Sequence, residues 1–184
     1  MVQALREIIE LEEFDEASFK EALSSFDCVK QNDETAQDVK RFLVNDAIDN
    51  ERRGDTRTYL ILDDANWNEG KIKIDGYFSI ALKVLTFSKY LDKDLLIEVF
   101  GSEKNNCPAY LIGQLARSAD SKPGVGKEFL ETALEYIAHA SEIVGGRFIY
   151  LDCNKDKRAY YEKQGFKFLQ DKHKSHLIQM YRII

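Results

Sequence analysis

The central part of the sequence alternates between strand-like and helix-like patterns in an order that leaves few folds open. The apolar stretch "YLIGQLA" is followed by "SKPGVGKEF", a long amphipathic stretch, a Gly-Gly pair and a second apolar run. This order predicts a strand over residues 110–116, a loop over 117–123, a helix over 125–143 and a strand over 148–152. Such a succession is typical of a βαβ unit with parallel strands.

The flanking patterns add further elements, and together they predict an α/β protein with helices packed on a sheet. Helical spacing covers residues 15–26 and 35–51, and a hairpin is predicted from strands over 58–62 and 72–84 joined by a polar loop over 63–70. Residues 86–106 are interpreted as an excursion that contains a short helix near Leu95 and Phe100. The C-terminal part predicts a helix over 155–164 that ends at Gly165, and strands over 166–169 and 176–183.

Composition narrows the class of protein. The 184 residues are 44% hydrophobic, which fits one globular domain over residues 1–184. The first residues are too acidic for a signal peptide and no apolar run approaches the ~20 residues of a membrane span, so a cytoplasmic protein without a membrane partner is predicted. Cys28, Cys107 and Cys153 lack ligand spacing and are interpreted as free thiols. The net charge of −6 argues against a general nucleic-acid binder.

The stretch "SKPGVGKEF" resembles phosphate-binding loops, but two familiar kinds do not fit. A P-loop requires glycine where Ser121 stands and a hydroxyl where Glu128 stands. A dinucleotide fingerprint requires a third glycine where Phe129 stands. The remaining general property is that Gly124 and Gly126 allow an anion to approach the backbone amides of a helix N-terminus. The alternative is an ordinary glycine turn before a helix.

The segment "YLDCNKDKRAYYEKQGF", residues 150–166, decides between these interpretations. A strand end, an asparagine, a short helix and a tyrosine four residues before a Gly-Phe pair follow one another. Together with the upstream strand, loop and long helix, this pattern resembles the GNAT superfamily of acyl-CoA-dependent N-acetyltransferases over residues 110–183. The family's pyrophosphate loop, [QR]-x-x-G-x-[GA], corresponds to residues 121–126, with Ser121 in place of glutamine or arginine and a shortened loop after the strand.

This resemblance implies a fold, a co-substrate and a site. The implied fold is a mixed, mostly antiparallel central sheet with a splayed parallel strand pair and helices on both faces, divided into N-terminal helices and hairpin over 1–109 and a coenzyme-binding core over 110–184. The implied co-substrate is acetyl-CoA, with no metal. The resemblance assigns coenzyme binding to these residues: Leu115, Ala116, Arg117, Lys122, Gly124, Val125, Gly126, Lys127 and Asn154.

The resemblance also assigns roles in acetyl transfer. The backbone amide of Leu115 would polarise the thioester carbonyl, as an oxyanion-hole donor does. Tyr161 would protonate the departing thiolate, and Tyr160 is its rival. Asn154 would cap the following helix and bind the pantetheine arm. The spacing selects no general base among Tyr77, Glu98 and Asp120; His139, His173 and His176 are interpreted as surface residues, and Cys153 as a small hydrophobe.

The N-terminal half carries a second, more specific resemblance. A helix, the strand "RTY" at 57–59 and the strand "GYF" at 76–78 are similar to GNAT toxins of bacterial toxin–antitoxin pairs, which acetylate aminoacyl-tRNA; the alternative is scaffold packing shared by many GNAT enzymes. We therefore expect direct acetyl transfer to a primary amine of a small molecule, a peptide or an aminoacyl-tRNA. The expected protein partners are an antitoxin and a second copy of the chain. The competing hypothesis is a non-catalytic GNAT-like module that binds an acyl-CoA or a protein partner.

Overall fold

The computed structural model describes residues 1–28, 34–63, 72–91, 93–101, 104–122 and 124–184. The predicted hairpin loop over residues 63–70 lies almost entirely outside this part of the chain, as does Pro123 in the predicted phosphate loop.

The described elements follow the predicted order. The helices are α1 (Leu5–Ile9), α2 (Glu16–Ser24), α3 (Glu34–Arg41), α4 (Ala47–Arg53), α5 (Lys93–Phe100), α6 (Val125–Val144) and α7 (Arg158–Lys163). The strands are β1 (Val2–Ala4), β2 (Arg57–Leu62), β3 (Ile74–Thr86), β4 (Asn106–Arg117), β5 (Phe148–Asn154), β6 (Lys167–Asp171) and β7 (Leu177–Ile183).

The strands form one seven-stranded sheet in the order β1-β2-β3-β4-β5-β7-β6. Strands β4 and β5 are parallel, with Tyr110 opposite Ile149 and Leu111 opposite Tyr150. The pairs β1–β2, β2–β3, β5–β7 and β6–β7 are antiparallel. The predicted mixed sheet, mostly antiparallel with one parallel pair, is confirmed.

By its internal packing the chain divides into two compact units, each made of two stretches of sequence. The first contains Met1–Ala81 and Gly113–Tyr136, and the second contains Leu82–Ile112 and Ile137–Ile184. These boundaries cut through β3, β4 and α6, whereas the sequence placed its division between residues 109 and 110.

In the first unit, α1, α2 and α4 pack their apolar sides against β2 and the start of β3. The buried side chains include Leu5, Leu23, Leu43, Leu60 and Tyr77, each fully shielded from solvent. Burial of apolar surface of this kind stabilises the unit by ~25 cal/mol per Å².

The second unit has a core rich in aromatic rings. The ring of Phe100 on α5 lies 4.3 Å from that of Phe87, 4.6 Å from that of Phe148 and 5.6 Å from that of Tyr181. The predicted excursion over residues 86–106 therefore contains its short helix, and Phe100 of that helix packs into the core of this unit.

Two local features differ from the sequence prediction. The predicted helix over 35–51 is divided into α3 and α4 by a π-helical turn, Phe42–Asp46, whose wider turn shifts the helical register. Strand β1 and helix α1 were not predicted. The three residues of β1 are too few to show the alternation that identifies a strand, although β1 pairs with β2, with Gln3 opposite Leu60.

Candidate active site

The glycine loop lies between β4 and α6 in the first unit, and backbone hydrogen bonds fix its beginning. The N–H of Ser118 donates to the carbonyl of Asp75 at 2.6 Å, and the N–H of Ala119 donates to the carbonyl of Asp27 at 2.7 Å. Ser118 is buried as a result. The loop thus starts from a position that β3 and the chain after α2 hold in place.

The two glycines of the loop differ in whether the structure requires glycine at their position. Gly124 has a φ of +96°, a conformation that side chains with a Cβ rarely adopt, and no atom lies within 4 Å of the place that a Cβ would take. At Gly126 a Cβ would meet only the Arg117 Cδ, at 3.8 Å, an ordinary contact. Packing against the described residues therefore does not require glycine at either position, whereas the backbone conformation does require it at Gly124.

Two backbone hydrogen bonds are described at the start of α6. The N–H of Val125 donates to the Lys122 carbonyl at 3.5 Å, and the N–H of Lys127 donates to the Gly124 carbonyl at 2.9 Å. Both amides therefore already have an acceptor within the turn, and a bound anion would compete with it. The Lys127 ammonium lies 3.3 Å from the carboxylate of Glu131, and Lys122 is exposed.

The end of β4 carries three of the residues predicted to bind coenzyme. Leu115 and Ala116 are half-buried, and Arg117 is exposed. Close to this strand lies Gly76 of β3, where a Cβ would come within 2.6 Å of the Ala116 carbonyl oxygen and 2.3 Å of Phe129 Cε2. Gly76 is thus required for this packing, a role that the sequence pattern did not reveal.

The second unit contains the other two predicted site residues. Tyr161 lies on α7, with its ring 5.8 Å from that of Phe166 and 5.1 Å from that of Tyr160, both edge to face. Burial is the main cause that raises the pKa of Tyr161 far above that of an ordinary phenol, and the nearby Cys153 and Tyr160 add to the shift. The hydroxyl therefore keeps its proton at neutral pH. No protein partner for this hydroxyl is found in the described part of the chain.

Asn154 ends β5, immediately before a 3₁₀ turn, Lys155–Lys157. Its backbone is extended, with φ −64° and ψ 148°, as at a helix N-cap, but its side chain makes no capping hydrogen bond. The predicted capping role is therefore wrong.

The side chains considered as bases or nucleophiles differ in exposure, and Glu98 and Asp120 are both exposed. Tyr77 is fully buried and donates its hydroxyl proton to the Val39 carbonyl at 2.6 Å, so it is not available to a substrate. Cys153 is buried, and burial raises the pKa of its thiol to about 11. The three histidines are exposed, as predicted.

Comparison with known proteins identifies the fold. No family model matches the sequence, and no curated protein matches it. Among solved structures, AtaT complexed with acetyl-methionyl-tRNAfMet is 16% identical with a TM-score of 0.70, covering 97% of this chain and 92% of that one. AtaTR bound with acetyl-CoA is 16% identical with a TM-score of 0.66, covering 100% and 92%. A tyrosine-to-phenylalanine mutant of KacT is 18% identical with a TM-score of 0.65, covering 97% and 93%. The chain has the GNAT fold.

One feature of this GNAT fold was not found from the sequence. The first unit has an open pocket of about 380 Å³ whose lining includes four arginines, Arg6, Arg52, Arg53 and Arg57, together with Glu10 and Glu51. These residues come from α1, the end of α4 and the start of β2, so no sequence motif brings them together. None of the predicted site residues lines this pocket.

The charges of the lysines and arginines between positions 155 and 174 are partly neutralised. Seven such residues lie there: Lys155, Lys157, Arg158, Lys163, Lys167, Lys172 and Lys174. Four of them have carboxylate partners: Lys155 with Asp171, Lys157 with Asp156, Arg158 with Glu162 and Lys172 with Asp152. No group of three His, Cys, Asp or Glu side chains in the described residues is placed to hold a metal ion. None of the described helices is long and apolar enough to cross a membrane.

Proposed function

We propose that this protein is an N-acetyltransferase that moves an acetyl group from acetyl-CoA directly to a primary amine. The observation that carries the proposal is the likeness of the whole chain to AtaTR bound with acetyl-CoA. The residue pattern agrees with it, because the glycine loop between β4 and α6 has the spacing that the resemblance to GNAT enzymes requires.

The loop fits the pyrophosphate of coenzyme A. Gly124 leaves open space where a Cβ would be, a Cβ on Gly126 would make only an ordinary contact with Arg117, and the positive end of the dipole of α6 favours a negatively charged group there. Lys122 and Arg117 are exposed at the loop, and each adds a positive charge. We propose that backbone amides of residues 124–127 donate to the phosphate oxygens.

The chemistry that acetyl-CoA supplies when bound is an activated thioester. We propose that the backbone amide of Leu115 donates a hydrogen bond to the thioester carbonyl, where negative charge develops during transfer. Ala116 and Arg117, which follow Leu115 on β4, would also bind the coenzyme along this edge of the strand. Asn154 would bind the pantetheine arm. A donor held on a strand is already oriented, so little reorganisation is needed during the reaction.

The departing thiolate needs a proton, and Tyr161 is the proposed donor. A general acid must be protonated before it acts, and burial holds the pKa of this phenol above its ordinary value. The attacking amine has to be neutral, and an α-amino group with a pKa near ~8 is partly neutral at pH 7 without a catalytic base. The proposed mechanism thus uses Tyr161 as the acid and needs no catalytic base for such an amine.

We propose the α-amino group of an aminoacyl-tRNA as the acceptor. A neighbour of this fold, AtaT, was solved complexed with acetyl-methionyl-tRNAfMet. AtaT was also solved bound to the C-terminus of the antitoxin AtaR, which supports an antitoxin as protein partner. The homodimer stays a prediction from the resemblance.

The test is calorimetric titration with acetyl-CoA, repeated with ATP plus magnesium and with NAD, followed by a screen of amine acceptors that includes charged tRNA. We expect acetyl-CoA to bind with a micromolar Kd, and ATP and NAD not to bind. We also expect a radiolabelled acetyl group to be transferred to aminoacyl-tRNA. Binding of acetyl-CoA without turnover of any amine would favour the non-catalytic module instead. Absence of acetyl-CoA binding would refute the proposed function and leave only a module that binds another acyl-CoA or a protein partner.

A further inference from the structure

Arg117 lies along the glycine loop rather than pointing away from it. Its Nη1 donates to the Ser121 carbonyl at 3.3 Å, to the Ser121 Oγ at 3.2 Å and, weakly, to the Ser118 carbonyl at 3.4 Å. Its Cδ lies 3.8 Å from the place of a Cβ on Gly126. The side chain therefore runs from the end of β4 to the first turn of α6, across the surface proposed to hold phosphates.

Ser121 occupies the loop position where the GNAT motif has glutamine or arginine, and its side chain cannot replace either. Its hydroxyl donates to the Ser118 carbonyl at 2.7 Å, so the short side chain is turned back into the loop. A serine also carries no positive charge. The loop thus lacks, at its first motif position, the long polar side chain that the motif contains.

We propose that Arg117 supplies this missing side chain, binding the coenzyme phosphates from a position four residues earlier in the sequence. This inference rests on the proposed function. The described hydrogen bonds of Arg117 all use Nη1, so Nε and Nη2 remain to face a phosphate. Two N–H groups on one planar guanidinium match two phosphate oxygens, a geometry that lysine and serine do not offer. The contacts with Ser121 hold the guanidinium in place before the ligand arrives.

The alternative is that Arg117 only braces the loop. If Arg117 binds phosphate, its replacement by alanine or glutamine weakens the binding of acetyl-CoA but not of acetyl-pantetheine, which keeps the thioester and the pantetheine arm. If Arg117 only braces the loop, Arg117→Gln keeps acetyl-CoA affinity because glutamine retains a donor for the loop oxygens, and Arg117→Ala lowers the unfolding temperature of the free protein.

The experiment measures Kd by calorimetry for acetyl-CoA and acetyl-pantetheine, with thermal unfolding of each free protein. The variants are Arg117→Ala, Arg117→Gln and the double variant Arg117→Ala with Ser121→Arg. Arg117→Gln keeps a donor for the loop oxygens and removes the charge, so it tests the proposal even where Arg117→Ala does not fold. We expect both single variants to bind acetyl-CoA about 10- to 100-fold more weakly, the range expected for hydrogen bonds to a charged group. Acetyl-pantetheine binding stays within about twofold, because that ligand lacks the phosphates that Arg117 contacts.

The double variant gives the most specific test, because it places an arginine at the motif position, residue 121. We expect the double variant to bind acetyl-CoA at least about tenfold more tightly than Arg117→Ala alone, because one charge-assisted hydrogen bond contributes affinity of that size. Unchanged acetyl-CoA binding in Arg117→Gln, or an equal loss for both ligands, would overturn the proposal while leaving the proposed function intact. A wild-type protein that binds neither ligand would overturn the proposed function first, and this inference with it.

Discussion

The carboxylate of Glu51, with 1% of its side chain exposed, accepts a hydrogen bond from Arg57 Nη1 at 2.9 Å. Its other oxygen accepts from the backbone N–H of Thr58 at 2.8 Å. This buried carboxylate therefore joins the end of α4 to the start of β2. The Arg57 side chain is 44% exposed, so its charge is still in contact with water.

Replacing Glu51 by alanine is expected to lower the free energy of unfolding by about 1–3 kcal/mol, because the Thr58 amide and Arg57 lose their acceptor. The loss stays below that of a fully buried ion pair because Arg57 is half-exposed. Urea unfolding followed by circular dichroism measures it. Glu10→Ala, which removes an exposed pair with Arg6, serves as the control and should cost less than about 0.5 kcal/mol. Equal losses for the two variants would contradict this account.

The contact between β3, β4 and α6 depends on Gly76. An added Cβ would lie 2.3 Å from Phe129 Cε2 and 2.6 Å from the Ala116 carbonyl oxygen, and the latter is backbone that cannot move aside cheaply. We expect Gly76→Ala to destabilise the protein by about 3 kcal/mol or to prevent folding. Gly126→Ala, where the nearest contact is 3.8 Å, should keep full stability in the same urea titration. A stable Gly76→Ala protein would show that the packing at this point is looser than described.

The backbone conformation of Gly124 is expected to affect coenzyme binding. With φ at +96°, alanine at this position is strained by ~1–2 kcal/mol, and the loop is expected to relax away from the shape that presents its amides. Gly124→Ala should weaken acetyl-CoA binding by about tenfold, which corresponds to ~1.4 kcal/mol. Gly126→Ala is again the control, since the motif itself permits alanine there. An equal rise of the calorimetric Kd in both variants would show that the space around the loop, and not its backbone conformation, governs coenzyme binding.

The thiol of Cys153 tests whether acetyl transfer is direct. Burial raises the pKa of this thiol to about 11, so only about one molecule in a thousand carries the reactive thiolate at pH 8. We expect Cys153→Ala to keep wild-type kcat, and Cys153 in the native wild type to react with a thiol reagent far more slowly than after unfolding. Mass spectrometry of the intact protein mixed with acetyl-CoA alone should show no acetyl adduct. An acetylated Cys153 would instead establish a covalent route.

The sequence predicted those parts of the molecule whose patterns are local. Helix α6 and strand β5 were predicted to within two residues, since their apolar periodicity is long and regular. The course of the Arg117 side chain was not predicted, because it depends on the turn that brings Ser121 back towards β4. The arginine pocket was not predicted either, since residues 6 and 57 become neighbours only through tertiary packing.

The hydroxyl of Tyr161 is expected to carry the proton transfer. Tyr161→Phe removes the proton donor and leaves the ring packing on Phe166 intact, so kcat should fall by about 10²-fold or more while the Kd for acetyl-CoA stays within about twofold. Tyr160→Phe is the matched control and should retain activity.

The pKa of Tyr161 gives the same residue a second, independent test. The phenol must be protonated to act, and burial raises its pKa, so deprotonation of this group begins only at a pH above that of an ordinary phenol near ~10. The kcat of wild type should therefore not decline between pH 8 and 10 on account of Tyr161, provided that thermal unfolding shows the protein folded there. A decline centred at or below an ordinary phenol pKa, present in wild type and absent in Tyr161→Phe, would show that the acid is more exposed than the structure indicates. Full activity of Tyr161→Phe would remove it from the mechanism altogether.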